Sequence, residues 1–171
     1  MKYASQNFTG EIKREIMKAG FENACCKTAA LSAFLRATGS IIRSGQQTGF
    51  EFITESESVA AFFIDLLEDL YGAELKIVQA STDNRNGKSQ LGIVERNGNS
   101  VSLKLEMDRY LVENDCCKLA YIKGAFLGSG SCMLPKLDDA RSGYHLEVVF
   151  FNKLLADGYC ELLAECEILA K

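Results

Sequence analysis

Apolar and polar positions divide the chain into short helical and strand-like stretches. Residues 25–37 are rich in Ala and Leu and predict a helix that stops at Gly39, where glycine reaches positive φ without steric cost. Ile41-Ile42-Arg43 and Phe50 to Thr54 flank the turn-forming run Ser44 to Gly49 and predict a β-hairpin. Ser58 to Tyr71 then carries apolar residues at helical spacing and ends before Gly72. The same helix, strand, strand, helix order recurs over 117–128, 131–134, 144–151 and 153–165. Between the two sets, Glu74 to Gln79 and Gln90 to Val94 predict strands joined by a polar Asn/Gly loop, and Val101 to Leu105 alternates as another strand. Ahead of them, Thr9 to Met17 predicts an amphipathic helix with Thr9 as its N-cap and Glu11 at its positive end.

The recurrence extends to residue identity. The sixteen residues from Cys25 to Ser40 align without a gap to Cys116 to Ser131, an offset of 91, and six of the sixteen are identical. The shared Cys-Cys-Lys and the closing Gly-Ser are not generic features of Ala-rich helices, so the match indicates duplication. After a slip of five residues it resumes: Phe50 to Thr54 corresponds to Leu146 to Phe150, and Leu66-Leu67 to Leu162-Leu163. The inserted length falls around Pro135 to Arg141, a loop by composition. One domain over 1–171 is expected, with repeat one at about 9–106 and repeat two at about 116–171.

Composition narrows the class. With 47% hydrophobic and 25% charged residues the chain has the balance of a globular protein. It contains no apolar run of membrane-spanning length and no signal-peptide pattern at its start, so a cytoplasmic location and no membrane partner are expected. The seven cysteines lie in apolar or helical patterns and fit reduced thiols packed as small hydrophobes. Side chains at i and i+1 of a helix diverge by about 100°, and no C-x₂-C pair is present. The expectation is no metal and no cofactor. Cys25, Cys26, Cys116 and Cys117 carry no assigned role at this level.

The segments Leu31 to Gly39 and Ile122 to Gly130 resemble the LAGLIDADG signature of homing endonucleases. That resemblance implies an α+β fold of duplicated α-β-β-α units with pseudo-two-fold symmetry. The two signature helices would face each other through small residues, here Ala33, Ala37, Gly124 and Gly128. In active members an acid at the penultimate motif position holds divalent metal over the scissile phosphates, and hard cations need anionic oxygen ligands. Thr38 and Ser129 occupy those positions, which implies no nuclease activity.

The longer phrase Cys116 to Ser131, followed by Gly143-Tyr144-His145-Leu146-Glu147-Val148-Val149, and the opening Phe8-Thr9-Gly10-Glu11-Ile12, resemble the WhiA family of bacterial regulators linked to sporulation and cell division. The resemblance covers most of residues 8–165. It implies transcription regulation and DNA binding through a C-terminal helix-turn-helix domain, which these 171 residues do not contain. The second unit also reads as truncated, because Glu167-Ile168-Leu169-Ala170 would only begin the strand matching Glu74-Leu75-Lys76-Ile77.

Three functional readings follow. As a nucleic-acid module, the hairpins would contact DNA through Arg43, Gln46, Gln47, Arg85, Lys88, Lys104, Lys136 and Arg141. Over 40–54, 74–106 and 131–151, however, eight basic residues meet eight acidic ones, and phosphate affinity depends on net neutralisation by cations. Weak or no DNA binding by this domain alone is therefore expected. As a scaffold, it would contact a protein partner, a ligand or a second copy of itself, inside or outside transcription. Glu55, Glu57, Asp65, Glu68 and Asp69 could face a basic partner, although such a run is ordinarily the solvated side of a helix. As an enzyme, a residual homing endonuclease for instance, the chain lacks a G-x-S-x-G motif and has one histidine, His145, in a strand pattern.

Overall fold

The computed structural model describes residues 8–44, 47–52, 54, 56–71, 77–78, 81–82, 94–97, 100–104, 106–135 and 143–171. Helix α1 (Phe8–Ala19) leads into α2 (Ala24–Thr38), the hairpin β1 (Gly39–Ser44) and β2 (Gln47–Phe52), and α3 (Glu57–Tyr71). Short strands β3 (Ile77–Val78) and β4 (Ser81–Thr82) and a second hairpin, β5 (Val94–Asn97) with β6 (Ser100–Leu103), lie between the repeats. A 3₁₀ turn (Arg109–Val112) precedes α4 (Asp115–Ser129), β7 (Gly130–Met133), β8 (His145–Val148) and α5 (Lys153–Glu165). The architecture is α+β.

Strand register carries the duplication residue by residue. In the first hairpin Gly39 stands opposite Phe52 and Ser40 opposite Glu51. In the hairpin of the second repeat, Gly130 stands opposite Val148 and Ser131 opposite Glu147, which are the same positions under the repeat alignment. β4 and β3 extend the first hairpin into a four-stranded sheet ordered β1-β2-β4-β3.

Helices α2 and α4 form the centre. Both run in the same direction, because Cys25 and Cys26 meet Cys116 and Cys117 at one end while Thr38 meets Gly128 at the other. Ala29, Ala30, Ala33, Ala120 and Ala125 are buried in the shared layer, where small side chains let the backbones approach. α2 is buried on nearly all sides, since Leu31, Phe34 and Leu35 also pack into the core of repeat one. There the Phe34 ring stacks on Phe63 at a centroid distance of 3.7 Å and meets Phe52 edge-on at 5.1 Å.

The lysine shared by the two repeats has a common job. Lys27 pairs with Asp69 of α3 at 2.6 Å, and Lys118 pairs with Glu165 of α5 at 3.3 Å. Asp69 and Glu165 are themselves repeat equivalents, so each central helix is tied to its own outer helix in the same way.

Several expectations are corrected. Gly39 and Gly130 cap their helices in extended conformation, with φ of −91° and −79°. Glycine is required there by space: a Cβ on Gly39 would collide with the Leu35 carbonyl, and one on Gly130 would lie 2.6 Å from Cγ of Phe126. Thr9 does not cap α1. Its hydroxyl donates to the Cys132 carbonyl at 3.0 Å and accepts from the Cys132 N–H at 2.9 Å, joining α1 to β7 of the other repeat. The first hairpin is tighter than expected, with Gln47 already in β2 opposite Ser44. Of the expected strand Gln90 to Val94 only Val94 lies among the described residues, and it stands opposite Leu103 while Asn97 pairs with Ser100 at the other end of the β5–β6 ladder.

Candidate functional site

The carboxyl-terminal junction of α2 and α4 is where the sequence directs attention. A Cβ added to Gly128 would lie 3.0 Å from the Thr38 methyl and 3.2 Å from Ala37 Cβ, so Thr38 packs directly on the opposite signature helix. Ala33 is fully buried in the same layer. Gly124 lies against the backbone of Ala30. Thr38 and Ser129 are half-buried, and both hydroxyls donate to the protein's own backbone. Thr38 Oγ1 donates to the Phe34 carbonyl at 2.8 Å, one turn earlier. Ser129 Oγ donates to the Val149 carbonyl at 2.7 Å, fastening α4 to the end of β8.

Beside this junction lies an open cleft of about 650 Å³. α1 contributes Thr9, Lys13 and Arg14, the segment entering α3 and its first turn contribute Thr54, Ser56 and Ser58, and the junction of α4 with β7 contributes Ser129 and Gly130. No Asp or Glu is among the described residues that line it. Its hydroxyls are largely engaged: Thr9 holds Cys132, Ser129 holds Val149, and Ser56 Oγ accepts from the Val59 N–H at 3.4 Å as the cap of α3. A hard divalent cation would find neutral oxygens and two positive side chains there. None of these described residues offers the anionic oxygen that a hard cation such as Mg²⁺ or Mn²⁺ prefers.

Arg36, which the sequence did not single out, is the one buried charged residue among those described. One terminal nitrogen donates to the carbonyls of Lys104 and Glu106 at 2.8 and 2.6 Å. Burial pulls its pKa down, opposed by nearby Tyr121 and Asp108. Burial likewise raises Tyr121, and Arg36 opposes that shift. The guanidinium anchors the segment that enters repeat two. Its signal in the sequence was a cation set in the otherwise uncharged last turns of an apolar helix.

Of the eight nucleic-acid candidates, three lie among the described residues. Arg43 and Gln47 sit on adjacent strands β1 and β2, at neighbouring positions of the ladder. Lys104 follows β6, and its carbonyl is taken by Arg36. Gln46, Arg85, Lys88, Lys136 and Arg141 lie outside the described residues. Of the acidic run, Glu57, Asp65, Glu68 and Asp69 are exposed on α3, and Glu55 lies outside the described residues. His145 is exposed on β8, 3.8 Å from Glu147.

A family model described as the WhiA N-terminal LAGLIDADG-like domain matches residues 24–107, and another, described as the WhiA LAGLIDADG-like domain, matches 118–171. The chain belongs to the WhiA family. Among curated WhiA relatives, the "Probable cell division protein WhiA" of Alkaliphilus metalliredigens is 28% identical over 183 residues, covering 96% of this chain and 56% of the relative. That of Bacillus cytotoxicus is 29% identical over 177 residues, covering 96% and 54%. The chain thus spans little more than half the length of these relatives. Crystal structures of WhiA share its LAGLIDADG-like fold. The N-terminal LAGLIDADG domain of WhiA superposes with a TM-score of 0.60 at 17% identity, covering 96% of this chain and 77% of that one. Full-length WhiA from Thermatoga maritima gives 0.61 at 18% identity, covering 94% and 50%. Among the described residues, no helix is long and apolar enough to cross a membrane.

Proposed function

We propose that this WhiA-family domain is the non-catalytic LAGLIDADG-like part of a bacterial DNA-binding transcription regulator of cell division and sporulation. It serves as a cytoplasmic scaffold or interaction module with weak or no DNA affinity of its own. The observation that carries this reading is the state of the helix junction. Thr38 and Ser129 are neutral, both hydroxyls are committed to backbone carbonyls, and the adjoining cleft has no carboxylate among its described lining residues. Those residues are unsuited to the metal ions that phosphodiester cleavage by this fold requires.

DNA contact in such a regulator falls to a helix-turn-helix domain outside these 171 residues. The scaffold role has support of its own in the hairpin of repeat two, where Met133, Tyr144, Leu146, Val149 and Phe151 are exposed. Those apolar side chains, spread over both faces of the hairpin, suit contact with other protein surfaces, a second copy included.

Two assays on the 171-residue chain test the reading. Supercoiled plasmid incubated with Mg²⁺ or Mn²⁺ should stay intact, and gel shifts across a salt series should give at most weak binding that fades steeply with salt. Metal-dependent nicking, or nanomolar sequence-specific binding at physiological salt, would overturn it.

A further inference from the structure

The opposite, amino-terminal end of the helix pair carries a second constellation. Cys25 and Cys26 open α2, and Cys116 and Cys117 open α4. Because the helices run side by side in the same direction, the two pairs converge, and all four Sγ atoms lie within 4.8 Å of one another. Adjacent cysteines on one helix diverge too widely to form a site alone; the facing helix supplies the other half. We propose that Cys25, Cys26, Cys116 and Cys117 form a single tetrathiolate site for one zinc-class cation, clasping the starts of the two central helices.

The distances fit such an ion. A tetrahedral Zn²⁺ with Zn–S near 2.3 Å requires sulfur–sulfur separations of about 3.8 Å. Cys116 and Cys117 already stand 3.9 Å apart, so closing the remaining gaps calls for side-chain rotation rather than backbone movement. Two helix amino termini point their partial positive charge at the cluster, which favours thiolates and works against the burial that raises the Cys26 and Cys117 thiols until a cation binds. Asn23 and Asn114, the N-cap residues, make no side-chain cap hydrogen bond in either helix. The repeats have diverged at ten of the sixteen aligned positions, yet both retain the doubled cysteine. Cys26 and Cys117 are buried while Cys25 and Cys116 are exposed, so a cation can enter from solvent and be held against the core. The chemistry is ligand exchange alone: each thiol gives up its proton as the metal–sulfur bond forms.

The test uses the full 171-residue chain, reduced and freed of metal, then titrated with Zn²⁺ or Co²⁺. The expected result is one ion per chain, with Co²⁺ giving the intense visible bands of a tetrahedral thiolate complex and X-ray absorption on the Zn²⁺ form giving four sulfurs near 2.3 Å. Replacing the exposed pair, C25S/C116S, should weaken Zn²⁺ binding by about 100-fold or more with an unchanged circular dichroism spectrum. C160S, an exposed cysteine elsewhere, should bind like the parent. Substoichiometric uptake by the reduced chain, a nitrogen- or oxygen-containing shell, or full affinity in C25S/C116S would overturn the site. Should the double variant fail to fold, the cobalt spectrum and sulfur count of the parent chain decide the matter by themselves.

Discussion

A Cβ placed on Gly124 would stand 2.7 Å from Cα of Ala30 and 2.8 Å from its carbonyl carbon, so the two signature helices touch backbone to backbone. Those atoms cannot swing aside as a side-chain tip can. Gly124→Ala should therefore push the helices apart and lower stability by about 3 kcal/mol, in the upper range for overpacking, despite the better helix propensity of alanine. Urea unfolding of the two proteins measures it. A loss under about 1 kcal/mol, the lower end of that range, would mean that the helices are not so closely apposed.

Gly158 in α5 is the contrasting case, since the nearest atom to its added Cβ is Met107 Cβ at an ordinary 3.8 Å. Gly158→Ala is expected to stabilise the chain by about 0.5–1 kcal/mol, the gain from helix propensity and a less flexible unfolded state. A rise in the thermal midpoint would register it.

Much of this arrangement is legible in the residues alone. The Cys-Cys-Lys match at an offset of 91 and the Glu51/Glu147 correspondence locate both helices and both hairpins, because duplication writes the same pattern twice. What periodicity does not convey is how the copies meet. Each cysteine pair, taken on its own helix, lacks the geometry of a site, and only the parallel pairing of α2 with α4 brings four sulfurs together. Thr9 departs from expectation for a similar reason: local capping preference is weak beside a partner 123 residues away. The β5–β6 hairpin is not legible in the sequence although Asn97-Gly98 is an available turn signal. The reason is that Glu95, Arg96 and Asn97 interrupt the apolar pattern from which a strand is read.

Arg36 should prove costly to replace. Arg36→Met keeps the aliphatic bulk but leaves the carbonyls of Lys104 and Glu106 without their donor. A loss of about 2–4 kcal/mol is expected, because charge-assisted bonds are broken and acceptors stay desolvated. Amide exchange in residues 106–112 should accelerate more than in α3. Equal acceleration everywhere would argue against a local anchoring role.

Alkaline pH should destabilise the chain through three of its tyrosines. Burial raises the pKa values of Tyr71, Tyr121 and Tyr159. In the unfolded chain all ionise near pH ~10. A raised folded pKa means that the native state keeps its proton longer, so the associated stability is fully present below about pH 10 and is lost as pH climbs through the folded values. Ultraviolet titration should show Tyr71, Tyr121 and Tyr159 ionising only as near-ultraviolet dichroism collapses. Ionisation of these three near pH ~10 in a still-folded chain would contradict the packing.

The hydroxyl of Thr9, bonded to both backbone groups of Cys132, also constrains how the polypeptide matures on the ribosome. Ile16 and Met17 can settle against repeat one as soon as its core forms, but the leading turn of α1 has no docking strand until synthesis has passed Met133. The leading turn of α1 must therefore wait undocked while most of the polypeptide emerges, and its final seating doubles as a latch that closes only when both copies are made.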